Sequence, residues 1–345
     1  MKRLAQILIV LACFLALSGL ETVVADNLAI GVKDNAGRVV NAAVPFERIV
    51  SLYGAHTENL FTLGAGRAVM GVSRHDRYPA AVRSKPVFSY HDGLERFLAA
   101  SPDLVLIRPM IDRGYAPLIA GLEQNGIAVV SLQPGSIEAM YAYWRTLGRL
   151  TGREDRAAAM VTAFQQAVAD FEALTASVGQ RKRVYFEAIH KRMKTFTPGS
   201  MPIFALETAG GLNVAADAAQ VRTTNIAFYG KERILSRAGV IDVYLAQRGA
   251  MNQPTPEMIR REPGYEVIKA VRDDQIFIID EALVARPTWR LLYGIHQIGI
   301  LLYPEHFQGN GEGILRKAEA ALGAAEAGEN FNMTQMKDSH EQSNR

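Results

Sequence analysis

Side chains that can bind metals, anions or flat ligands are concentrated just after the apolar, strand-like segments of this sequence. Tyrosine and histidine can ligate iron, arginine pairs with anionic oxygens, and tyrosine and tryptophan stack on flat ligands. The candidate binding residues at these positions are Tyr53, His56, Arg74, His75, Tyr90, His91, Arg108, His190, Arg192, Met193, Met251, Asn252, Arg286 and Trp289. The candidates for direct metal ligation are His56, Tyr90, His91 and His190. The set predicts a site for a metal-containing, partly anionic ligand.

The elements that must position these side chains alternate between strand-like and helix-like patterns. Residues 48–52 predict a buried strand, the loop at residues 53–56 follows it, and a helix is predicted at residues 57–63. Apolar strands that alternate with helices predict a parallel sheet covered on both faces. In such sheets ligands bind beyond the carboxyl ends of the strands, so we expect the candidate residues to line one cleft.

One long helix, predicted over residues 151–179, divides the chain into two halves. Thr151 can act as its N-cap, Glu154 can complete a capping box, and Gly179 marks the end. Beyond it, the strand-like segment at residues 183–187 begins the pattern again. The predicted fold is therefore α/β, with two Rossmann-like lobes that contain parallel sheets and are joined by a single long interdomain helix.

The chain is predicted to have five regions. They are a signal peptide at residues 1–25, an N-terminal α/β lobe at 26–150, the interdomain helix at 151–179, a C-terminal α/β lobe at 180–308, and a polar, partly disordered tail at 309–345. The composition of residues 314–325 permits a helix within that tail.

The first residues have the layout of an export signal. Lys2 and Arg3 precede an apolar run at residues 4–17, and cleavage is expected after Ala25. A membrane anchor is the weaker reading, because the run is shorter than the ~20 apolar residues that a spanning helix needs. Cys13 is the only cysteine, and a lipid anchor there is a second, weaker alternative. After cleavage the chain would contain no disulfide.

The composition argues against a nucleic-acid partner. The chain has 345 residues and a formal net charge of +3, and its basic clusters at residues 181–183 and 191–194 are short. No recognition helix or aromatic and basic platform accompanies them. The length and the 49% of hydrophobic residues favour two lobes with ordinary cores.

A glutamate recurs at a similar place in each half of the chain. Residues 95–98 (ERFL) precede the predicted strand at 103–107, and residues 232–235 (ERIL) precede the one at 242–246. Either glutamate could simply favour the start of a helix through the helix dipole. The duplication makes this explanation less favoured than it would be for a single glutamate.

The order of several short motifs resembles the periplasmic binding proteins of ABC importers for ferric siderophores, haem and cobalamin. The N-terminal motifs are residues 49–64 (IVSLYGAHTENLFTLG), 71–72 (GV), 78–79 (YP), 94–95 (LE) and 102–105 (PDLV). The later motifs are residues 210–214 (GGLNV), 269–271 (KAV), 276–280 (IFIID) and 286–287 (RP). The resemblance covers residues 29–307. It departs from the family at residues 53–55, which replace a proline-containing loop, and at residues 187–194, which match no known ligand set.

The resemblance implies a receptor whose lobes move by only a small angle, because one continuous helix has few soft dihedrals. It implies no intrinsic cofactor and a bound ferric chelate, haem or corrinoid, with a ferric siderophore as the leading expectation. Cleft positions of the family match His75, Tyr90, Arg286 and Trp289, and its permease-docking positions match Glu95 and Glu232. The implied partners are an inner-membrane ABC permease and its cytoplasmic ATPase, and the protein is expected to be a periplasmic monomer.

An enzyme is the alternative from a different functional class. Two-lobed folds of this kind also host chelatases that insert metals, for which Glu187 and His190 would be the catalytic candidates. Export and the paired glutamates favour the receptor, and no nucleophile–base arrangement or phosphate loop is apparent. The sequence also lacks a set of three histidines and a carboxylate, so a bare zinc or manganese site is a weaker hypothesis. A surface protein without a ligand is a third reading.

Overall fold

The computed structural model describes residues 30–220, 224–250 and 252–324. The predicted export signal, Cys13, Met251 and residues 325–345 lie outside the described residues. Among the described residues, none of the helices combines the length and the apolar composition that a membrane crossing requires.

The N-terminal lobe consists of an antiparallel hairpin and a five-stranded parallel sheet. Its strands are β1 (Ile30–Lys33), β2 (Val39–Ala42), β3 (Ile49–Ser51), β4 (Val69–Ser73), β5 (Val87–Phe88), β6 (Leu104–Ile107) and β7 (Ala128–Ser131). Its helices are α1 (Gly54–Thr62), α2 (Leu94–Ala100), α3 (Pro109–Gly114), α4 (Ala116–Gln124) and α5 (Ile137–Thr151). The sheet has the order β5-β4-β3-β6-β7. Strands β3 and β6 are buried along their whole length, as expected for central strands of a parallel sheet covered on both faces.

The C-terminal lobe contains a seven-stranded mixed sheet. Its strands are β8 (Arg183–Ile189), β9 (Lys194–Phe196), β10 (Leu212–Asn213), β11 (Ala219–Gln220), β12 (Ile226–Phe228), β13 (Val243–Arg248) and β14 (Ile276–Asp280). Strands β8, β13, β14 and β10 are parallel, whereas β9, β12 and β11 form an antiparallel edge. This edge differs from the expected parallel sheet because only the short turn at His190–Arg192 joins β8 to β9. A parallel connection would need a dozen or more residues.

The helices that follow the first lobe include the long connection between the lobes. They are α6 (Glu154–Ala176), α7 (Met201–Thr208), α8 (Lys231–Ser236), α9 (Pro256–Arg260), α10 (Lys269–Arg272), α11 (Glu281–Val284), α12 (Leu291–Leu302), α13 (Pro304–Phe307) and α14 (Asn310–Ala324). Helix α6 packs against α5 of the first lobe and against α7 and α12 of the second. The predicted class of two α/β lobes joined by one long helix is confirmed.

The predicted start of the long helix is wrong. Thr151 belongs to the last turn of α5, where its hydroxyl donates to the carbonyl of Leu147 at 2.8 Å. Gly152 then adopts a left-handed conformation with φ +63°, which ends α5 and turns the chain. Arg153 occupies the N-cap of α6 and forms no side-chain cap bond, so no capping box exists. The helix ends at Ala176, before the predicted Gly179.

The region predicted as a polar tail begins with a packed helix. Leu315, Ala318 and Leu322 of α14 are buried, and α14 packs along α6. The guanidinium Nη1 of Arg156 in α6 donates to the carbonyl of Leu322 at 2.9 Å. The spacing of three and four residues gives α14 one apolar stripe, and this stripe is what docks it onto α6. Up to residue 324 the region is therefore part of the fold.

Candidate functional site

A cleft with a volume of about 540 Å³ lies between the lobes. The N-terminal lobe lines it with residues after β3, β4, β5, β6 and β7, which are Tyr53, Gly54, Arg74, His75, Asp76, Ser89, Tyr90, His91, Asp92, Arg108 and Gln133. The C-terminal lobe contributes Phe196, Asn225, Ile226, Gln247, Ala250, Glu281, Ala285 and Arg286. The carboxyl ends of the parallel strands therefore converge on one site, as the strand order requires.

Tyr53 and Arg108 form one part of the N-terminal wall. The guanidinium carbon of Arg108 lies 5.2 Å from the centre of the Tyr53 ring, a cation–π distance. Burial raises the pKa of the Tyr53 phenol, and the positive charges of Arg286 and Arg108 act in the opposite direction. The phenol is thus a half-buried hydroxyl beside two cations.

Tyr90, His91 and Tyr115 form an aromatic cluster on the same wall. The rings of Tyr90 and His91 are 4.5 Å apart, and Tyr115 lies 4.7 Å from Tyr90 and 5.1 Å from His91. The Tyr115 hydroxyl is 3.1 Å from Nδ1 of His91 and orients that ring. The sequence pattern did not indicate Tyr115, because it precedes helix α4 instead of following a strand.

Arg286 reaches the cleft from the C-terminal lobe and is held by a carboxylate of the N-terminal lobe. Its Nη1 lies 2.8 Å from Oε1 of Glu58, which is 2% exposed in α1. Arg290 contacts the same carboxylate, with Nε 3.0 Å from Oε2. Gly54 makes this approach possible, since a Cβ atom at this position would lie 2.8 Å from Nη1 of Arg286. Neither Glu58 nor Gly54 was predicted as part of the site.

The carboxylates of the cleft are engaged by donors of the protein. Asp76 accepts from the hydroxyl groups of Ser73 and Thr57, and burial raises the pKa of Asp76. Asp92 accepts from the backbone N–H of Ser89, and Glu281 accepts from that of Ala250. These hydrogen bonds stabilise the carboxylates in their positions, and the cleft is also lined by three arginines, Arg74, Arg108 and Arg286.

Several predicted binding residues do line the cleft. They are Tyr53, His75, Tyr90, His91 and Arg286, together with Arg74 and Arg108. His75, His91 and Arg74 are exposed, whereas Tyr53, Tyr90, Arg108 and Arg286 are half-buried. Met251 lies outside the described residues.

His56 does not line the cleft, contrary to the prediction. Helix α1 begins at Gly54, directly after the strand, so His56 points into the core and is fully buried. Its Nε2 donates to the carbonyl of Ile107 at 2.9 Å, and its Nδ1 accepts from the hydroxyl of Tyr143 at 2.7 Å. Burial lowers the pKa of His56 to about 4. Both ring nitrogens are occupied, so His56 is not a metal ligand in this arrangement.

His190 and Glu187 also lie away from the cleft lining. Nδ1 of His190 is 2.8 Å from the carboxylate of Glu187, which is fully buried and also accepts from the hydroxyl of Tyr244. The hydrogen bond to Glu187 raises the pKa of His190. The chelatase reading placed this pair in the cleft. The structure places the pair elsewhere: Glu187 on β8 and His190 in the turn after it are both buried in the C-terminal lobe and are not part of the cleft lining.

Two further predicted binding residues are elsewhere. Trp289 is 1% exposed and packs edge-on against Phe164 of α6, so it belongs to the core. Arg192 is exposed, in the turn after β8, and is not part of the lining. Over the described ranges, no group of three or more His, Cys, Asp or Glu side chains is arranged to hold a metal ion.

The two glutamates of the repeat occupy equivalent positions. Glu95 lies in the first turn of α2 and Glu232 in the first turn of α8, and both are exposed. A carboxylate is favoured there by the helix dipole. Their exposure is compatible with a contact to another protein.

Comparison with known proteins places the chain among transport receptors. A family model described as periplasmic binding protein matches residues 49–283. The ABC transporter substrate-binding lipoprotein YvrC of Bacillus subtilis is 26% identical over 271 residues, which cover 76% of this chain and 82% of that protein. A vitamin B12-binding protein of Vibrio cholerae is 23% identical over 257 residues, covering 74% and 88%. A periplasmic solute-binding protein of Staphylococcus epidermidis superposes with a TM-score of 0.66 at 26% identity, covering 75% of this chain and all of that one.

Proposed function

This chain belongs to the periplasmic binding protein family, and from that premise we propose that it captures a ferric siderophore in the cleft between its lobes. It then delivers the chelate to the permease of an ABC importer. The observation that carries the choice of ligand is the convergence of Arg74, Arg108 and Arg286 on one cleft beside Tyr53. Siderophores bind ferric iron through negatively charged oxygens, and guanidinium groups pair with such oxygens in a bidentate geometry.

A corrinoid is the second candidate ligand. It is favoured by the vitamin B12-binding protein of Vibrio cholerae, whose similarity spans 88% of that protein. The aromatic cluster of Tyr90, His91 and Tyr115 offers a surface on which a flat macrocycle can stack. Haem is a further candidate, because its propionates would pair with the arginines, and the binding experiment below includes it as haemin.

The remaining features of the proposal concern export and docking. Cleavage after Ala25 would release the protein into the periplasm as a monomer. Glu95 and Glu232 would then contact arginines of the inner-membrane permease, one from each lobe. The exposure of both carboxylates supports this role, and transport would depend on the cytoplasmic ATPase bound to that permease.

The ligand is tested by measuring binding to the purified chain from residue 26 onwards. The probes are a ferric catecholate complex, a ferric hydroxamate complex, haemin and cyanocobalamin, measured by titration calorimetry. We expect a ferric complex to bind with a dissociation constant in the micromolar range or below. Arg108→Gln should weaken this binding by about tenfold, because one charge-assisted contact is lost.

Arg145→Gln is the matched control. Arg145 is an exposed arginine of α5 and is not part of the cleft lining. Its replacement should leave the affinity unchanged. If the wild-type protein binds only cyanocobalamin or only haemin, that compound is the ligand and the siderophore assignment is wrong. If it binds none of the four probes, the receptor function itself is contradicted.

A further inference from the structure

The loop that carries Arg286 belongs to the C-terminal lobe by sequence but is hydrogen-bonded to the N-terminal lobe. This crossing segment (residues 285–290) follows α11 in the C-terminal lobe. The carbonyl of Pro287 accepts from Nδ2 of Asn59 at 2.9 Å and from Nε1 of Trp144 at 3.1 Å. Asn59 in α1 and Trp144 in α5 are fully buried residues of the N-terminal lobe. The crossing segment therefore forms part of the N-terminal wall.

Glu58 holds the charged end of this segment. Its carboxylate accepts a hydrogen bond from Nη1 of Arg286 at 2.8 Å. It also accepts hydrogen bonds from Nε and Nη2 of Arg290, at 3.0 Å and 3.1 Å. Arg290 also lies over the Tyr78 ring, with its guanidinium carbon 4.3 Å from the ring centre. Arg290 is thereby fixed from two sides, and Arg286 is the member of the group that lines the cleft.

The charges of this group do not cancel. One carboxylate faces two guanidinium groups, so the group carries a formal charge of +1. The carboxylate is 2% exposed, whereas the side chain of Arg286 is 26% exposed. Arg286 therefore contributes a positive charge to the cleft, beside the lining carboxylates of Asp76 and Glu281, whereas the carboxylate of Glu58 that holds it is buried.

We propose that Glu58 is a positioning residue for ligand binding. It fixes the guanidinium of Arg286 as a permanent part of the N-terminal wall, beside Tyr53 and Arg108, before a ligand arrives. This inference rests on the proposed function, and it identifies the residue that orders an anion-binding group of the cleft. Donors that are already fixed bind a ligand more tightly, because the conformational entropy of their side chains is lost during folding and not during binding.

The replacement Glu58→Gln separates positioning from simple charge. If Glu58 acted only as a negative charge near the cleft, its removal would raise the affinity for an anionic chelate. If it positions Arg286, the affinity should fall despite the gain of positive charge, by about tenfold, because Arg286 loses its anchor. The probes are the ferric catecholate complex, which is anionic, and cyanocobalamin, whose affinity should change less.

Two control variants accompany this replacement. Glu281→Gln removes another carboxylate of the cleft, one that accepts from the backbone of Ala250 and not from an arginine, so it should raise the affinity for the anionic complex. Arg290→Gln removes the other ion pair of Glu58 and tests for a general loss of stability. It should lower the melting temperature and keep Arg286 in place, and its affinity for the anionic complex should fall less than that of Glu58→Gln.

Crystal structures of the unliganded Glu58→Gln and Arg290→Gln proteins decide the proposal even if no probe binds. We expect the guanidinium of Arg286 to leave its wild-type position in the first variant and to keep it in the second. An unmoved Arg286 in Glu58→Gln, or an affinity that rises as it does in Glu281→Gln, would overturn the positioning role. Lack of binding by the wild-type protein would instead refute the proposed function and leave the structural comparison valid.

Discussion

At the scale of single residues, histidine serves two different purposes in this protein. His56 is a neutral core residue with both ring nitrogens bonded, whereas His75 and His91 are exposed at the cleft. The difference arises from burial, because a charged imidazole in the core would lose its hydration without gaining a counter-ion. Of these three histidines, His75 and His91 are the ones that line the cleft.

The pH dependence of folding should reveal the neutral state of His56. Its pKa is about 4 in the folded protein and about 6.5 when exposed, so between these values only the unfolded chain binds the proton. Stability should therefore fall as the pH drops from 6.5 towards 4, by roughly 3 kcal/mol from this group alone. Urea unfolding of the wild type and of His56→Gln over this range measures the effect.

His75→Gln is the control for that experiment, since His75 is exposed. This variant should keep the wild-type pH dependence, whereas His56→Gln should show a shallower one. Equal slopes for the wild type and His56→Gln would show that His56 is protonated in the folded protein.

Only part of the site could be predicted from the sequence. Tyr53, Tyr90 and His91 follow strands whose carboxyl ends share one edge of a sheet, and the structure places all three in the cleft lining, as this rule predicts. The assignment of His56 failed because α1 starts at Gly54, and a helix turns that side chain to the opposite side from the cleft. Glu58 could not be found this way, since its role depends on a contact across 228 positions of sequence.

At the scale of elements, α6 owes its stability to the helices around it. Its buried residues include Met160, Phe164 and Phe171, and α5, α12 and α14 pack against it. The apolar spacing predicted the body of α6 well. Its start could not be predicted, because the residues suited to a capping box were used by a different local structure, the left-handed turn at Gly152.

Helix α14 should contribute measurably to the stability of this layer. Leu322 is 1% exposed, and its replacement by alanine should lower the free energy of unfolding by roughly 2–4 kcal/mol through the cavity it leaves. Arg316→Ala, at an exposed position of the same helix, should cost less than about 0.5 kcal/mol. Urea unfolding monitored by tryptophan fluorescence compares the two variants. Equal effects would mean that α14 does not pack on α6 in solution.

At the scale of the whole molecule, each lobe exposes one carboxylate in the first turn of a helix, and the proposed function assigns both to docking on the permease. Glu95 and Glu232 lie at corresponding positions of α2 and α8, outside the cleft lining. Docking and ligand binding should therefore be separable by mutation, which is what a receptor that hands its ligand to a permease requires.

The paired replacement Glu95→Arg and Glu232→Arg should abolish transport without changing ligand affinity. Repulsion between the new arginines and those of the permease is the reason. Uptake of an iron-55 chelate by cells that depend on this receptor measures transport, and calorimetry measures affinity. Glu305→Arg, at another exposed carboxylate, should transport normally. A loss of affinity in the paired variant would assign the two glutamates to the cleft or to folding.

The attachment of the crossing segment to α1 and α5, together with α6, ties the lobes at two places, and this has a consequence for biosensor design. If the lobes close by only the small angle expected from these ties, fluorescent proteins fused to the two lobes would respond weakly to the ligand. A solvent-sensitive dye at the rim, attached through His75→Cys, would instead detect the ligand as it displaces water. Cys13 is the only native cysteine and belongs to the expected export signal, so the dye would label a single site on the mature protein.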